Sequence, residues 1–426
     1  MVIRYLYTVL LALLSPVLLF GLYKKKAGKP SFGARWKEHF GRTPVLADTA
    51  VQPIWIHTVS VGETIAATPF IKALKQQYPN IPIVITTTTS TGAEQAEKLS
   101  AIAEHRYMPL DFPFAVKGFV KAIRPQIMLI METELWPNTL HHVAKSGIPI
   151  TVINARLSER SALRYQKFQS IFNLLARHID QVLCQHQDDA DRFIRLGIAT
   201  ERVSVTGSLK FDIDIADSVT TSGQALRQQL GQKRSVWVAA STHHGEDEQV
   251  LMVHQALLQQ DPNALLILVP RHPERFNDVH QLCLSQGFTA ARRTQTSANV
   301  EHTQVYLADT MGEMLVLLAA SDVCFMGGSL LGDKVGGHNL LEPAALGLPC
   351  IIGPSYYNFT DITEQLTQAK AALICQNIDE LTSQMKQLFA NKQERSLYGE
   401  RALAVVHRNK GAVQKTVEAI QLPNPV

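Results

Sequence analysis

A carboxylate stands at a predicted strand-to-helix turn in HTVSVGETIAATPFIKAL, residues 57–74. The residues before Gly62 are typical of a strand, and apolar residues then recur on one face of a helix. Glu63 therefore lies where α/β proteins often bind substrate, and it could accept a proton from a reacting group. Alternatively, Glu63 only complements the helix dipole, which would keep it ionised, or the helix begins later, at Thr68-Pro69.

Further polar side chains follow other predicted strands of the first half. Glu132 and Glu134 in METELWPNTL come directly after the strand-like QIMLI, where two acids are costly unless they are paired or open to a cleft. VINARLSERS and GSLKFD add further polar residues after strands: Asn154, Arg156, Ser158 and Lys210. Each could cap a helix or lie in solvent. Because the carboxyl ends of parallel strands meet at one sheet edge, we expect these residues to converge.

The second half contains a glycine-rich stretch, FMGGSLLGDKVGGHNLLEPAALGLPCIIGP, residues 325–354. The pattern predicts a strand, a flexible loop that includes Gly337, and a helix that opens at His338-Asn339 and runs to about Leu346. Glycines allow close approach of a ligand, and free N–H groups at a helix start favour phosphate. Glu342 lies one turn beyond His338 and could bind both hydroxyls of a ribose. An ordinary strand-to-helix turn is the alternative.

Two shorter motifs of the second half could also contact a nucleotide. Arg271 and His272 in LVPRHPERF lie between two prolines that fix the turn, and an arginine fork matches phosphate or carboxylate. A solvated surface charge is the alternative. DTMGEM places a second Gly-Glu pair at a turn, where the backbone could contact a base while Glu313 starts a helix.

The histidines and cysteines do not predict a metal site. STHHGEDE, residues 241–248, has two histidines and three acids, but adjacent histidines cannot both point inward from one turn. Phosphate or sugar contact is therefore favoured there. The five cysteines are widely spaced, without a CxxC pair, and mostly lie in apolar segments, which predicts buried free thiols.

The elements that must position these residues are short apolar runs alternating with helical patterns. Five strand candidates precede Gly207 and five follow it, among them PIWIHTV and QIMLIME in the first half and SVWVAAS and DVCFMGG in the second. This alternation predicts parallel sheets built from βαβ units. Ten strands exceed one compact unit, so we predict two doubly wound domains, 24–212 and 213–426, with the last helix able to pack back on the first domain. Ligands are expected in a cleft between them.

The N-terminus carries an apolar run, Tyr5 to Tyr23, about long enough to cross a hydrocarbon core of ~30 Å. A basic segment, residues 24–42, follows it, and Glu38 is the one acid in that segment. Its basic residues are Lys24, Lys25, Lys26, Lys29, Arg35, Lys37 and Arg42. The run predicts a transmembrane anchor over residues 1–23 with the rest of the chain cytoplasmic. A signal peptide is disfavoured, because no small-residue cleavage site follows. The net charge of +4 is too small to indicate nucleic-acid binding.

Taken together, the motifs resemble one family along the whole chain: SVGE, TELWPN, NARLS, GSLKFD, PRHPERF, MGEM and GGHNLLEPAALGLP. They are similar to those of the 3-deoxy-D-manno-octulosonic acid (Kdo) transferases of Gram-negative lipopolysaccharide synthesis. The resemblance implies an α/β GT-B glycosyltransferase with two Rossmann-like domains. It also implies an inverting reaction, without metal or other cofactor, that moves Kdo from CMP-Kdo to the lipid A precursor lipid IVA at the inner membrane.

The resemblance also implies roles for individual residues. Glu63 would be the general base and Glu134 a second catalytic acid. The glycine-rich stretch and the two shorter motifs of the second half would contact the donor. Their residues are Arg271, His272, Met311, Gly312, Glu313, Gly337, His338, Asn339 and Glu342. The acceptor side or cleft would hold Ser60, Gly62, Glu132, Asn154, Arg156, Ser158 and Lys210. A UDP-sugar enzyme of the same fold, or a membrane-tethered nucleotide-binding protein without turnover, are the alternatives.

Overall fold

The computed structural model describes residues 2–24, 30–46, 50–295, 300 and 302–422. Three lysines of the predicted basic segment, Lys25, Lys26 and Lys29, lie outside the described residues. The chain divides into two compact units. Unit 1 contains the chain up to Asp212 and from Lys410 onward, and unit 2 contains Ile213–Asn409.

Unit 1 is built on seven strands: Ile54–His57 (β1), Ile83–Thr87 (β2), Glu104–Tyr107 (β3), Ile127–Met131 (β4), Ile150–Ala155 (β5), Gln181–Cys184 (β6) and Val203–Val205 (β7). They form one parallel sheet in the order β3-β2-β1-β4-β5-β6-β7. The strand order reverses between β1 and β4, where Ile54 lies opposite Ile127. In doubly wound sheets this switch point is where ligands bind.

The helices of unit 1 that precede Asp212 are Val2–Tyr23 (α1), Val61–Gln77 (α2), Ser90–Glu97 (α3), Pro113–Ile123 (α4), Pro137–Lys145 (α5), Glu159–Lys167 (α6), Gln169–Ala176 (α7) and Gln187–Arg195 (α8). Short 3-10 helices span Gly33–Phe40, Thr200–Arg202 and Leu209–Phe211. Trp55 packs on Phe119 of α4, with ring centroids 4.6 Å apart, whereas Ile56 shares a core with Phe70 of α2. Burial on both faces explains why β1 has no polar alternation.

Unit 2 also contains seven strands: Val236–Thr242 (β8), Leu265–Pro270 (β9), Ala290–Arg292 (β10), Val305–Leu307 (β11), Val323–Met326 (β12), Cys350–Ile352 (β13) and Ala372–Ile374 (β14). Their parallel order is β10-β11-β9-β8-β12-β13-β14, so the switch point lies between β8 and β12. The helices are Asp217–Leu230 (α9), Asp247–Leu258 (α10), Phe276–Ser285 (α11), Met314–Ala319 (α12), Leu341–Ala345 (α13), Thr360–Gln368 (α14), Ile378–Ala390 (α15) and Lys392–Asn409 (α16). Short 3-10 helices span Pro273–Arg275 and Gly332–Lys334.

The last helix, Ala412–Ala419 (α17), belongs to unit 1 and packs against α2. The Asp212 carboxylate accepts hydrogen bonds from the backbone N–H groups of Gly411, at 2.6 Å, and Val413, at 2.5 Å. This carboxylate caps the start of α17 and fastens the end of the chain to unit 1.

All ten predicted strands are present, and four further strands complete the sheets. These four, β3, β7, β10 and β14, are the edge strands of the two sheets. β3 reads EHRY and β10 reads AAR, without the continuous apolar run of a central strand. An edge strand is covered on fewer sides, so its sequence carries a weaker signal.

The five cysteines are structural thiols, as predicted. Each is buried, and all five are free. Burial raises the pKa of the Cys184 thiol to about 12, so that this thiol stays protonated and unreactive at neutral pH.

Candidate active site

The first candidate residue, Glu63, lies in the first turn of α2. Ser60 is the N-cap residue, and its Oγ accepts a hydrogen bond from the Glu63 N–H at 3.3 Å. The Glu63 carboxylate reaches back and accepts from the Val59 N–H at 2.8 Å and from the Ser60 hydroxyl at 3.2 Å. This reciprocal arrangement is a capping box, which fixes the carboxylate at the end of β1. The alternative start at Thr68-Pro69 is wrong, because Pro69 lies inside α2.

The pKa of Glu63 is raised to about 7. Burial is the main cause, and the neighbouring carboxylates of Glu132 and Glu134 add to it, whereas the hydrogen bonds from Val59 and Ser60 oppose it. The expectation that the helix start keeps this carboxylate ionised is therefore wrong, since desolvation outweighs the favourable N–H contacts. A carboxylate with a pKa near 7 is matched to proton transfer at neutral pH.

Two more acids follow β4, on the other side of the unit 1 switch point. Glu132 has a positive φ of 56°, and its Oε1 lies 3.4 Å from Lys210 Nζ. Burial raises the pKa of Glu134, and the charge of Glu132 adds to the shift. The structure thus brings Glu63, Glu132, Glu134 and Lys210 together, as the sheet-edge reasoning predicted. We call these four residues the acidic group.

The residues after β5 support this group. Asn154 is buried with a positive φ of 50°, and its Oδ1 accepts a hydrogen bond from the Leu209 N–H at 3.0 Å. Asn154 thereby positions the segment that carries Lys210. The Arg156 carbonyl accepts from the Thr133 hydroxyl at 2.6 Å, which ties the β4 and β5 loops together. Ser158 is the exposed N-cap of α6.

In unit 2 the glycine-rich loop after β12 is held by a residue that sequence reasoning missed. Glu246 is fully buried, and its carboxylate accepts hydrogen bonds from the N–H groups of Gly328, Ser329 and Leu330 at 2.7–3.1 Å. Gly327 must be glycine, since a Cβ there would lie 2.9 Å from the Glu246 carboxylate. Three N–H groups of the loop are therefore occupied by an internal anion and are not free for phosphate.

We expect the Glu246→Ala protein to lose protection in this loop, because three buried N–H groups lose their acceptor. Amide hydrogen exchange over residues 327–331 should accelerate about tenfold or more, which corresponds to about 1.4 kcal/mol. Peptide-level exchange mass spectrometry measures this. Glu274→Ala, which removes an exposed acid of the same unit, is the matched control and should leave the loop unchanged. Equal exchange in both variants would show that Glu246 does not hold the loop.

A histidine-arginine group lies at the unit 2 switch point. Nε2 of His243, after β8, is 2.9 Å from Nε2 of His338, and the His272 ring packs edge-on against His243 at 5.4 Å. Burial lowers the pKa of His243 and of His338 to about 4, and the Arg271 charge adds to both shifts. His243 and His338 are therefore neutral at pH 7. Within the described part of the chain, the Arg271 guanidinium has no hydrogen-bonding or ion-pairing partner, so it remains available to an anion.

The segment around Glu342 differs in part from the prediction. The helix begins at Leu341 and not at His338, because the Asn339 side chain accepts a hydrogen bond from the Leu341 N–H at 3.0 Å. Gly337 has a φ of 69°, and a Cβ there would lie 3.0 Å from the Ser355 carbonyl oxygen. Burial raises the pKa of Glu342. Its carboxylate has no hydrogen-bond partner among the described residues, which leaves its acceptors open to a hydroxyl-bearing ligand.

The MGEM segment follows β11 at the same sheet edge. Met311 is 60% exposed, and Gly312 adopts a φ of 83°. Glu313 precedes α12, and its carboxylate accepts hydrogen bonds from Nη2 and Nε of Arg293, at 2.7 and 2.9 Å. This ion pair and the Thr310 hydroxyl lower the pKa of Glu313. Glu313 therefore orders the turn, while Met311 and the backbone of Gly312 are presented outward.

Two doubly wound units, each with polar side chains gathered at its switch point, have the architecture of the GT-B class. Solved structures with little sequence similarity share the fold. Neisseria meningitidis UDP-GlcNAc 2-epimerase bound to UDP-GlcNAc has a TM-score of 0.56, covering 86% of this chain and 100% of that chain at 14% identity. Anabaena Alr3699/HepE in complex with UDP has a TM-score of 0.55, covering 86% and 98% at 15% identity.

Sequence similarity gives the family. Residues 34–213 match the family model described as 3-Deoxy-D-manno-octulosonic-acid transferase (kdotransferase). The 3-deoxy-D-manno-octulosonic acid transferase of Haemophilus influenzae is 38% identical over 420 residues, 98% of both chains. That of Bordetella pertussis is 34% identical over 435 residues, 98% of this chain and 99% of the relative. The chain belongs to the Kdo transferase family, as the motifs predicted.

Proposed function

We propose that this protein transfers Kdo from CMP-Kdo to the lipid A precursor lipid IVA, with inversion at the anomeric carbon and without a metal ion. The observation that carries the proposal is Glu63, a carboxylate with a pKa of about 7 fixed by a capping box at the unit 1 switch point. Membership of the Kdo transferase family supports the choice of sugar and donor.

In the proposed reaction Glu63 takes the proton of an acceptor hydroxyl, whose oxygen attacks the anomeric carbon of Kdo. The bond to CMP breaks, and the electron pair leaves with the phosphate oxygen. Attack opposite the leaving group inverts the configuration. Arg271 faces the negative charge that grows on the phosphate, so no cation is needed for that task. Burial raises the pKa of Glu63 to about 7, and the charges of Glu132 and Glu134 add to that shift.

The donor contacts are proposed from the unpaired groups of unit 2. Glu342 would accept hydrogen bonds from the ribose hydroxyls, and the side chain of Asn339 still offers N–H donors to the phosphate. Arg271 and His272 would bind the phosphate or the Kdo carboxylate. Met311 and the backbone of Gly312 would contact the cytosine. Glu313 would act through the shape of its turn, since Arg293 occupies its carboxylate.

The acceptor would be reached at the cytoplasmic face of the inner membrane. Among the described residues, α1 is the one helix long and apolar enough to cross a membrane. Lys24, Lys37 and Arg42 are exposed beside it, and each basic residue near an anionic surface contributes about 1 kcal/mol of attraction. Trp36 and Phe114 are also exposed, and aromatic residues favour the membrane–water interface.

The donor assay tests this function directly. We expect CMP release and a product heavier by Kdo when the purified protein receives CMP-Kdo and lipid IVA, and no reaction with UDP-sugars. EDTA should leave the rate unchanged, because in the proposed reaction Arg271 meets the charge of the leaving phosphate. Mass spectrometry of the lipid and chromatography of the nucleotide measure both. Consumption of a UDP-sugar without CMP release, or full loss of transfer in EDTA, would contradict the proposal.

A further inference from the structure

We propose that α1 lies in the plane of the membrane surface, docked along unit 1 with its outer face inserted into one leaflet, and does not cross the bilayer. The proposal rests on the membrane association proposed above but not on the reaction. It changes the interpretation of the apolar run, whose length and composition alone predict a span.

The N-terminal end of α1 is bonded to unit 1. Arg4 is buried, and its Nη1 donates to Asn138 Oδ1 at 3.0 Å. The Asn138 side-chain amide donates in turn to Thr8 Oγ1 at 2.9 Å, and Tyr7 is hydrogen-bonded to Asp111. Asn138 belongs to the first turn of α5, just after the loop that carries Glu134. The first two turns of α1 are therefore part of the folded unit.

The C-terminal end of α1 is bonded to the same unit. The Tyr23 hydroxyl lies 2.7 Å from His39 Nδ1, and the Tyr23 ring packs edge-on against Phe32 at 5.4 Å. Phe32 and His39 both pack against Tyr107 of β3. Both ends of the helix thus contact unit 1.

Between its ends, α1 keeps one face toward the unit. The residues that are less exposed recur at helical spacing: Thr8, Leu11, Ser15, Leu19 and Leu22. Leu19 and Leu22 line a cavity of about 700 Å³ together with Trp36 and Phe40. The opposite face is open, with Leu13 73% exposed and Val17 72% exposed. A stripe of this kind indicates a helix that lies alongside the unit along its length.

This geometry conflicts with a span. Arg4 and Tyr23 are 19 residues apart, which at 1.5 Å per residue is about 29 Å, the thickness of a hydrocarbon core. If α1 crossed the bilayer, Arg4 would emerge on the side opposite to Tyr23. Asn138 and Asp111 cannot follow it there, because they belong to the same folded unit as Tyr107.

A lipid leaflet is the partner that fits the outer face. An apolar helix in this position inserts about 5–10 Å into the boundary between head groups and acyl chains. Trp36 and Phe114 are exposed a few residues after Phe32 and Asp111, which contact the two ends of α1, and aromatic residues favour this boundary. Exposed lysines follow on α4, Lys117 and Lys121, and complement anionic head groups. Insertion of α1 would hold the Glu134 loop beside the membrane surface.

Cysteine labelling of the full-length protein in sealed inverted inner-membrane vesicles tests the topology. The native cysteines are buried, so the wild type gives the background. Lys24→Cys reports the cytoplasmic side, and Val2→Cys, at an exposed position, reports the other end of α1. We expect a membrane-impermeant maleimide to label both to the same extent without detergent. Labelling of Val2→Cys only after permeabilisation would overturn the proposal.

Nitroxide depth measurements give a second readout that does not depend on access to the reagent. Spin labels at Val9→Cys, Leu13→Cys and Phe20→Cys, in vesicles of phosphatidylethanolamine and phosphatidylglycerol, should report equal shallow depths. A spanning helix would instead place the Leu13 label near the bilayer centre. Kdo transfer is measured on the same samples, so that active protein with a deep Leu13 label refutes the topology alone, whereas a uniform shallow profile without transfer refutes the reaction alone. Failure of the wild type to bind these vesicles would refute the topology as well.

Discussion

We expect the Glu63→Gln protein to transfer Kdo about a hundredfold to ten-thousandfold more slowly than the wild type, the contribution typical of a general base. Glutamine keeps the size of the side chain and can still accept from the Val59 N–H, but it cannot take the acceptor proton. Initial rates of CMP release at saturating CMP-Kdo and lipid IVA measure the loss. Binding of CMP, followed by calorimetry, should stay nearly intact, because Glu63 belongs to unit 1 and the donor contacts are proposed in unit 2.

Glu132→Gln is the matched control for this substitution. It removes a carboxylate of the same acidic group that is already paired with Lys210, so its effect should be much smaller. Unchanged transfer by the Glu63→Gln protein would remove Glu63 as the base, whereas an equal loss in both variants would indicate a general electrostatic role for the group.

The pKa of about 7 adds a dependence on pH to the same experiment. Protonated Glu63 cannot act as a base, so wild-type kcat/KM should fall about tenfold per pH unit below 7 and level off above it. The pKa of Glu63 is higher in the folded protein than in the unfolded chain. The stability it contributes is therefore present below about pH 4.5 and is lost as pH rises through 7. Glu63→Gln should accordingly raise the thermal midpoint relative to the wild type at pH 8 but not at pH 4.

We expect the Arg271→Ala protein to transfer Kdo about a hundredfold to a thousandfold more slowly, the loss typical of removing one group that stabilises transition-state charge. The prolines on both sides fix the turn, and within the described chain the guanidinium has no competing partner. His243 and His338 are neutral at pH 7, and Arg271 supplies positive charge to this group. Transfer rates and calorimetric CMP affinity measure the effect, and we expect both to fall.

Arg271→Lys and Lys233→Ala are the controls. Lysine keeps the charge but not the two-pronged donor geometry, so it should restore transfer only in part. Lys233 is exposed and precedes β8, so it lies at the amino ends of the strands, whereas Arg271 follows a carboxyl end. Replacement of Lys233 should leave transfer unchanged. If Arg271→Ala matches the wild type, the leaving phosphate is stabilised elsewhere.

Much of the fold could be predicted from the sequence, because central parallel strands are buried on both faces and must be continuous apolar runs. Ten such runs predicted two domains. The polar residues after β1, β4, β8, β9, β11 and β12 could then be placed at the carboxyl ends of the strands of each sheet. The family followed from motifs that are each local, such as TELWPN and PRHPERF. The edge strands β3 and β10 were missed for the opposite reason, since EHRY and AAR are not continuous apolar runs.

What escaped prediction depends on residues that are far apart in the chain. Glu246 and Gly328 are 82 residues apart, and His243 and His338 are 95 apart, so no local pattern could show that each pair is in contact. The sequence therefore predicted phosphate or sugar contact at STHHGEDE, although one of its acids, Glu246, holds the glycine-rich loop.

The sequence by itself determined the class of the protein, the order of its ten central strands, and which residue types stand at the strand ends. These properties follow from local patterns of burial and turn chemistry. The tertiary structure decided the state of Glu63, whose pKa depends on burial and on Glu132 and Glu134 from another strand. It also decided the position of α1, since hydropathy reports only that a helix prefers lipid. The hydrogen bonds of Arg4 and Tyr23 to distant parts of unit 1 settle how the helix is held.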